Sequence, residues 1–549
     1  MSYSVSVKEG GDATTVIGES IGRDASPASQ GDNAFAAMLT LAFVSLALIG
    51  ILNHEMWRDE LQAWLIARDS LSISDLFHNV KYERHPALWH LCLYFLTRFT
   101  RDPIAMQLLH LAIASGTVLL FAKHSPFTKL QKVLFSFGYF PLFEYGVISR
   151  NYALGVLLIF ACCVLLSKPE RNYITLACLL ALLSNTSAYG FIIAIAIVLT
   201  LVFECLIDQS RRPSDDDKFK ILIGLFIFAL GSAAFLIVFI LPANLEILSS
   251  VSQPVGSIHI FKDTFVYTLT KIWESYFPLP NVFMHDFWNT NFLMAVSEET
   301  FRRAGALLSL GIFATSLFFF IRKPIVLFLY LCGTLGILLF TFTFFLGDVR
   351  HSGHLFMVFI ACLWLSGRLS DSNLLSYPWL IHSSSLFVKY KPKFLTVVLC
   401  VHFAAGGFAI SKDLIYPFSE IKNTAEYIKE HRMTGMLIAG SQDISVSPLT
   451  VYLNQKIYFP ESGTFGTFIV WNKFRKPKPP QEVLEKIREL IELRNEEVLF
   501  ISTKELNNNE SDINVTELAR FTRSIVNDEN FYLYRAWRHE GKATERSGN

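Results

Sequence analysis

Charged residues are scarce in this 549-residue chain. Asp, Glu, Lys and Arg make up 17% of it and hydrophobic residues 52%, whereas ordinary soluble domains carry about 25% charged residues. The formal net charge of +1 says nothing useful about partners. No nucleic-acid partner is expected of a chain with this composition. The composition therefore excludes a soluble globular protein and predicts a polytopic membrane protein.

Cysteine is also sparse, and the sequence has no disulfide framework. All eight cysteines lie within or at the ends of apolar runs, without the spacing of a metal cluster. The first 33 residues are polar and lack the short apolar core of a cleavable signal peptide. We predict that residues 1–33 form a disordered cytoplasmic N-terminus.

Long apolar runs fill residues 34–410, and many approach the roughly 20 residues needed to cross a bilayer. No short-period repeat is visible. These runs predict an α-helical polytopic membrane bundle of about 11–13 transmembrane helices, including residues 133–148. A shorter run at residues 86–99 either crosses or re-enters the membrane.

The distribution of Lys and Arg predicts the orientation. Basic loops such as residues 123–129 and 322–324 mark the cytoplasmic side. Loops 54–85 and 242–303, and everything after residue 410, are then external. We therefore expect a multi-pass protein of the inner or cell membrane whose site faces the periplasm or exterior.

Residues 411–549 are richer in charge and predict a soluble α/β domain. Helices are expected at 446–453 and 480–493, and strands at 436–440, 456–459, 467–471, 499–503 and 531–537. The basic, proline-rich stretch 474–480 is interpreted as a solvated loop, with contact to anionic lipid or a polyanionic acceptor as the functional alternative.

Two adjacent carboxylates follow the first apolar run directly. Asp59 and Glu60 lie in a stretch whose apolar residues recur at i, i+4, i+7 and i+8 from Trp57, which predicts an interfacial helix with its aromatic face in the lipid headgroups. Both carboxylates fall largely off that face. They could act as a base or as solvated charges beside Arg58.

Four sequence elements resemble a known family when taken in order. They are Trp57-Arg58-Asp59-Glu60, His85-Pro86-Ala87-Leu88-Trp89, Ser149-Arg150-Asn151-Tyr152-Ala153-Leu154 and the turn at 185–189. The set, spread over about the first 210 residues, resembles the GT-C superfamily of integral-membrane glycosyltransferases, which includes protein O-mannosyltransferases and lipid A aminoarabinose transferases. The sequence departs from the family at Ala87, where many relatives have a second proline, and in the wording around residues 348–354.

The resemblance implies an enzyme that moves a sugar from a polyprenyl-phosphate carrier to a lipid, glycan or protein acceptor outside the cytoplasm, with inversion. A positioned carboxylate can serve as the base, and Asp59 is preferred over Glu60. One of the two could instead bind a divalent cation such as Mg²⁺, Mn²⁺ or Zn²⁺. Arginine suits phosphate, so the expected substrate-binding residues are Arg58, Arg150 and Arg350, together with His85, Tyr152, His351 and His354.

Two other functions stay open. A transporter or flippase of a glycolipid would carry charges in mid-membrane, but the apolar runs hold few apart from Glu144 and Glu204 near their ends. A glycan polymerase or ligase with a diphosphate-linked donor would need strongly basic external loops, and loop 242–303 is not strongly basic. That loop contains aromatic residues, among them Phe287 and Trp288, which predict an interfacial platform.

Overall fold

The computed structural model describes residues 30–81, 83, 85–208, 214–240, 258–369, 371, 377–472, 474–506 and 513–538. Helices occupy the chain up to Asp413, and a six-stranded sheet with covering helices follows. This element order confirms the predicted fold class, a helical bundle with a C-terminal α/β domain. The predicted disorder of residues 1–33 lies outside the described residues up to position 29, and from Gln30 onward the chain is already helical.

Fifteen α-helices make up the membrane part of the described chain. They are α1 (Gln30–Asn53), α2 (Arg58–Asp69), α3 (Ile73–Val80), α4 (Leu88–Leu96), α5 (Ile104–His124), α6 (Lys129–Ser136), α7 (Tyr152–Leu166), α8 (Tyr173–Ser184), α9 (Ala188–Ile207), α10 (Asp215–Ile240), α11 (Ile258–Tyr276), α12 (Glu298–Phe320), α13 (Pro324–Thr343), α14 (Val349–Ser366) and α15 (Pro378–Asp413).

Eight of these helices are long and apolar enough to cross a membrane: α1, α5, α9, α10, α12, α13, α14 and α15. The apolar helices α7 and α8 are shorter. Every residue of α14 is buried, so this helix is enclosed by its neighbours. Its N-terminal turn begins after Asp348 and carries Arg350 and His351, which fixes their position at one end of the bundle.

Two predicted crossings are wrong as continuous spans. The run at 86–99 yields only α4, whose nine residues extend about 14 Å at 1.5 Å per residue. The run at 133–148 is divided between α6 and a π-helical segment, Tyr139–Val147, which contains Pro141. Proline removes a backbone donor and crowds the preceding turn, so an unbroken α-helix does not form there.

The stretch predicted as external loop 242–303 contains a regular helix within its described part. Helix α11 has 19 residues and packs against α12 and α14. Phe287 and Trp288, predicted as an interfacial platform, are 0% and 8% exposed. Their rings face protein, so that prediction is wrong.

The C-terminal domain begins where α15 ends at Asp413, three residues beyond residue 410, the predicted end of the membrane domain. Its sheet has the order β3-β2-β1-β4-β6-β5. The strands are β1 (Leu437–Ser441), β2 (Ile457–Phe459), β3 (Thr464–Gly466), β4 (Val498–Ser502), β5 (Ile513–Phe521) and β6 (Phe531–Arg538). β1 pairs in parallel with β2 and β4, and the other pairings are antiparallel.

Four helices accompany this sheet: α16 (Ile421–Glu430), α17 (Asp443–Val446), α18 (Leu449–Leu453) and α19 (Pro480–Arg494). The predicted strands near β1, β2, β4 and β6 and the predicted helix at α19 are confirmed. The strand predicted at 467–471 is wrong, since β3 ends at Gly466, and β5 was not predicted.

The apolar stripe of α2 is correctly predicted, but its surroundings are not headgroups. Trp57 and Trp64 are 2% and 0% exposed. Trp64 packs with residues of α3 and α4, and Tyr452 and Phe468 of the C-terminal domain cover the same cluster. Helix α2 is therefore held between the membrane helices and the C-terminal domain.

Candidate active site

Glu60 is a fully buried anchor at the start of α2. Its Oε2 accepts from the backbone N–H of Trp57 at 3.2 Å and contacts His54 Nε2 at 3.0 Å, while Oε1 accepts from the Ser149 N–H at 2.6 Å. The other ring nitrogen of His54 lies 2.9 Å from Asp413 Oδ2. Glu60 thus ties together the ends of α1, α2 and α15 and the turn before α7.

The charge of His54 follows from these two carboxylates. Burial lowers the pKa of its imidazole, but Asp413 and then Glu60 more than offset this and raise the pKa to about 10. His54 is therefore protonated at neutral pH and donates from both ring nitrogens. The buried triad His54, Glu60 and Asp413 is defined by these contacts.

Asp59, the neighbour of Glu60, has a different environment. Its side chain is 24% exposed, and its Oδ2 lies 2.6 Å from Arg150 Nη1 and 3.6 Å from Arg350 Nη2. Burial opposes ionisation, but Arg150, Arg350 and Arg58 lower the pKa of the Asp59 carboxyl below its ordinary value. Asp59 is an ionised carboxylate at the meeting point of two guanidinium groups.

The Arg350 guanidinium lies close to two indole rings, which meet each other edge to face. Its guanidinium carbon lies 5.1 Å from the ring centroids of both Trp57 and Trp288, and its Nη1 lies 2.8 Å from Asp348 Oδ2. Trp288 is itself fixed, because its indole N–H donates to Glu144 Oε1 at 2.8 Å. The arrangement places a cation within cation–π range of two aromatic rings.

Arg350 keeps an unused donor in this setting. Within the described part of the chain, its buried Nε has no hydrogen-bond partner. Its backbone is positioned by the Tyr145 hydroxyl, which donates to the Arg350 carbonyl at 2.7 Å. Gly353 permits this approach, since a methyl group there would collide with the Tyr145 hydroxyl and the Phe140 ring. A buried guanidinium with a free N–H is suited to an anion.

Aromatic rings and histidines line the membrane side of the arginines. The Arg150 guanidinium lies over the Tyr152 ring at 5.7 Å. The Tyr152 ring meets His351 and His354 edge-on at 5.5 and 5.4 Å, and Tyr189 stacks on His354 at 4.8 Å. Tyr152, His351 and His354 are thus brought together.

His351 and His354 each contact a backbone group. His351 Nδ1 accepts from the Asp348 N–H at 2.8 Å, and His354 Nδ1 lies 3.1 Å from the His351 carbonyl.

Burial and the nearby Arg150 lower the pKa of His85, on the loop before α4, to about 4. A neutral His85 near Asp59 and Arg150 offers a ring nitrogen as an acceptor.

Arg58 faces the C-terminal domain. Its backbone N–H donates to Glu529 Oε1 at 3.1 Å, and its Nη1 lies 2.7 Å from Asp528 Oδ1. The same nitrogen donates to Ser445 Oγ at 3.1 Å. Arg58 therefore bridges α2 to that domain, and its predicted phosphate-binding role is not supported by any further contact.

A divalent cation does not fit the donors at this position. No group of three or more His, Cys, Asp or Glu side chains that could hold a metal occurs among the residues described. Asp59 faces two arginines, and both oxygens of Glu60 are occupied by N–H donors. Hard cations prefer several converging oxygens, which these two carboxylates do not provide.

Several residues of the site carry no motif that sequence reasoning could use. Asp413 is 359 positions from its partner His54, and Trp288 and Glu144 are brought beside Arg350 only by packing. The available signals were weak: Glu144 was a rare charge in an apolar run, and Trp288 belonged to an aromatic group in a predicted loop.

No protein-family model and no curated protein matches this chain. Among solved structures, the crystal structure of ArnT from Cupriavidus metallidurans bound to undecaprenyl phosphate is similar, with 11% identity and a TM-score of 0.48 over 92% of this chain and 98% of that chain. The apo state of ArnT from the same organism has 13% identity and a TM-score of 0.45, over 91% and 98% of the two chains.

Proposed function

We propose that this protein transfers a sugar from a polyprenyl-phosphate-linked donor to a lipid, glycan or protein acceptor on the extracytoplasmic side of the membrane. Asp59 is the base in this proposal. The observation that carries it is one carboxylate, partly open to solvent, shared by Arg150 and Arg350 at the end of the helical bundle. Such a cluster offers both a phosphate site and a proton acceptor.

The donor phosphate would bind where the two arginines now face Asp59. Among the residues that the structure describes, the Arg350 Nε has no hydrogen-bond partner, and contact with the Trp57 and Trp288 rings holds the guanidinium in place. Guanidinium groups bind phosphate through paired N–H donors. The polyprenyl chain would then lie along apolar helices, as a donor dissolved in the membrane requires.

Phosphate binding would also prepare the base. In the free protein Arg150 and then Arg350 oppose the effect of burial and lower the pKa of Asp59, which makes it a weak base. A phosphate that draws these guanidinium groups toward itself adds negative charge beside Asp59 and raises its pKa. The carboxylate then accepts a proton more readily when the donor is in place.

The chemical step needs no further reactant. An acceptor hydroxyl oxygen forms a bond to the anomeric carbon while its proton passes to an Asp59 oxygen. The bond from that carbon to the phosphate oxygen breaks, and the electron pair leaves with the polyprenyl phosphate, whose charge the arginines neutralise. A single displacement of this kind inverts the anomeric centre. The proposed reaction has no step at a metal.

Glu60 has a positioning role in this scheme. Its oxygens are engaged by Trp57, His54 and Ser149, so an acceptor hydroxyl would have to displace a buried hydrogen bond to reach it. Asp59 is the carboxylate that solvent can reach. The transporter and the diphosphate-donor functions stay predictions, since no contact described above favours either.

The test is sugar transfer by the purified full chain in nanodiscs, with a panel of polyprenyl-phosphate sugars. A positioned base contributes about 10²–10⁴-fold, so Asp59→Asn should lose that much activity at an unchanged unfolding temperature. Glu426→Gln, at an exposed acid of the C-terminal domain, is the matched control. Arg150→Gln should raise the KM for the donor.

Two results would contradict the proposal. Full transfer activity in folded Asp59→Asn would remove Asp59 as the base. Absence of turnover and of donor hydrolysis with every polyprenyl-phosphate sugar would argue against the transferase itself, and uptake of a glycolipid by proteoliposomes would then favour the transporter.

A further inference from the structure

A cleft of about 1120 Å³ lies between α2 and the C-terminal domain. One wall consists of the end of α2 and the end of α4, around Arg68 and Arg98. The other consists of β2, β3 and the segment that follows them, up to Arg475. Single-ligand pockets typically measure about 300–1,000 Å³, so this cleft has room for more than one monosaccharide.

The cleft has an excess of positive charge. Two carboxylates, Asp69 and Asp443, and five cations line it, so the net charge of the lining is +3. The cations are Arg68, Arg98, Arg101, Lys456 and Arg475.

Two of these cations are neutralised by close pairs. Arg68 Nε and Nη2 donate to Asp69 at 2.7 and 2.8 Å, and Arg475 binds Asp443 through two hydrogen bonds of 2.7 and 2.6 Å. The remaining positive charge therefore belongs to the other three cations.

Those three cations are available to a ligand to different degrees. Arg98 is exposed, but its guanidinium is engaged, because it donates to the carbonyls of Ala67 and Arg68 at the end of α2, where a cation complements the helix dipole. Arg101 is 69% exposed and lies 3.7 Å from Asp69. Lys456 is exposed as well. An anion entering the cleft would meet Arg101 and Lys456 first.

The uncharged lining has the character of a carbohydrate site. The amides of Asn454, Gln455 and Asn472 provide paired donors and acceptors for hydroxyl groups. Aromatic rings, among them Phe465 and the 73% exposed Phe474, offer flat apolar surfaces to sugar faces. Cations, amides and exposed rings together match a sugar chain that carries acidic groups.

Helix α2 connects this cleft to the proposed catalytic centre. Asp59 is at its first turn and Asp69 is its last residue, so ten residues at 1.5 Å per residue separate the two by about 15 Å. The side-chain amide of Gln62 clamps Ile469 between them, donating to its carbonyl at 2.8 Å and accepting from its N–H at 3.1 Å. The two walls are thus fixed relative to Asp59.

We propose that this cleft binds an acidic oligosaccharide that forms the part of the acceptor remote from its reacting end. The proposal rests on the proposed transferase function and specifies its acceptor. A chain of several sugar units is required, because one unit in the cleft does not reach the carboxylate.

The test is binding, which needs no turnover. Fluorescein-labelled trigalacturonate and, as the neutral counterpart, labelled maltotriose are titrated against the full chain in nanodiscs of zwitterionic lipid, with fluorescence anisotropy as the readout. Wild type should bind the acidic probe saturably and at least tenfold more tightly than the neutral one. The double variant Arg101→Glu with Lys456→Glu should raise the Kd for the acidic probe at least tenfold.

Controls separate this proposal from the catalytic one. Lys429→Glu reverses an exposed charge outside the cleft and should change the Kd less than twofold. Asp59→Asn should bind the acidic probe as wild type does even where it has lost transfer. Failure of transfer with intact binding contradicts only the proposed function.

Other outcomes would overturn the cleft assignment. These are no saturable binding of trigalacturonate, equal binding of maltotriose, or an unchanged Kd in the double variant. If the double variant instead loses a preference for phosphatidylglycerol nanodiscs while both sugars bind equally, the cations contact the lipid surface and the acceptor proposal is wrong.

Discussion

Replacing His54 by glutamine tests whether the buried triad holds the membrane helices and the first loop together. The substitution removes a cation that lies 3.0 Å from Glu60 and 2.9 Å from Asp413, with all three side chains almost wholly buried. At an effective dielectric constant of about 20, each pair at 3 Å is worth about 5 kcal/mol of Coulomb energy. Desolvation offsets much of this attraction in the intact triad.

In the His54→Gln variant, the carboxylates of Glu60 and Asp413 lose the attraction to a cation but remain buried. Removing one partner of a buried ion pair typically costs about 3–5 kcal/mol, because a charge is left uncompensated. Glutamine can still hydrogen bond to one carboxylate, so we expect about 3 kcal/mol near pH 8.

The pH dependence of the stability difference follows from the charge of His54 in the wild type. The pKa of His54 is raised to about 10, so the stability from its charge is complete below pH 6.5 and is lost as the pH rises through about 10. The difference between wild type and variant should therefore be largest at and below pH 6.5 and should shrink as the pH rises toward 10.

The assay is the apparent unfolding temperature in detergent micelles from pH 5 to pH 10. His78→Gln, at an exposed histidine of α3, is the matched control and should change it little. A His54→Gln deficit equal to that control, or one that is the same at pH 6 and pH 10, would refute the ionic account of the triad.

Three further predictions concern the site and the docking of the C-terminal domain. Arg350→Lys keeps the charge but loses the guanidinium contacts with the Trp57 and Trp288 rings, worth about 1–3 kcal/mol together, so donor KM should rise about ten- to a hundredfold; an unchanged KM would contradict this. Glu144→Leu removes the acceptor of the Trp288 indole N–H and should raise donor KM as well while shifting tryptophan emission, and a shift without a KM change would show a structural role only. Burial raises the pKa of Glu529 to about 7, so the stability that protonated Glu529 gives to docking of the C-terminal domain is complete below pH 4.5 and is lost as the pH rises through 7. Proteolytic release of the domain should therefore increase over that range. A Glu529→Gln variant with the same pH dependence would contradict the assignment.

Part of the fold followed from local pattern because local pattern is all that those elements need. Strands such as β1 and β4 are short apolar runs and are buried along their length. Residues 467–471 have an equally strong strand pattern, yet the backbone of Ile469 binds the Gln62 side chain instead of a neighbouring strand. Strand β5, with its half-exposed residues, gave no comparable apolar signal.

The same distinction applies to the membrane helices. Hydropathy found the runs, but it counts apolar residues and cannot tell a straight span from a broken one. The π-helical segment at Tyr139–Val147 fits against α14 through Gly353, a contact more than 200 positions away in the chain. Whether an apolar run crosses the membrane is therefore decided by its neighbours.

By itself the sequence determined the class of protein, the acidic pair after the first apolar helix and the C-terminal α/β domain, because hydrophobicity and periodicity are local quantities. Only the tertiary structure separated Asp59 from Glu60. The two are adjacent on one helix and chemically alike, but a helix turns about 100° per residue, which directs one toward two arginines and the other toward His54 and Ser149. Those partners come from distant parts of the chain. They decide which carboxylate solvent can reach and which one is a buried anchor.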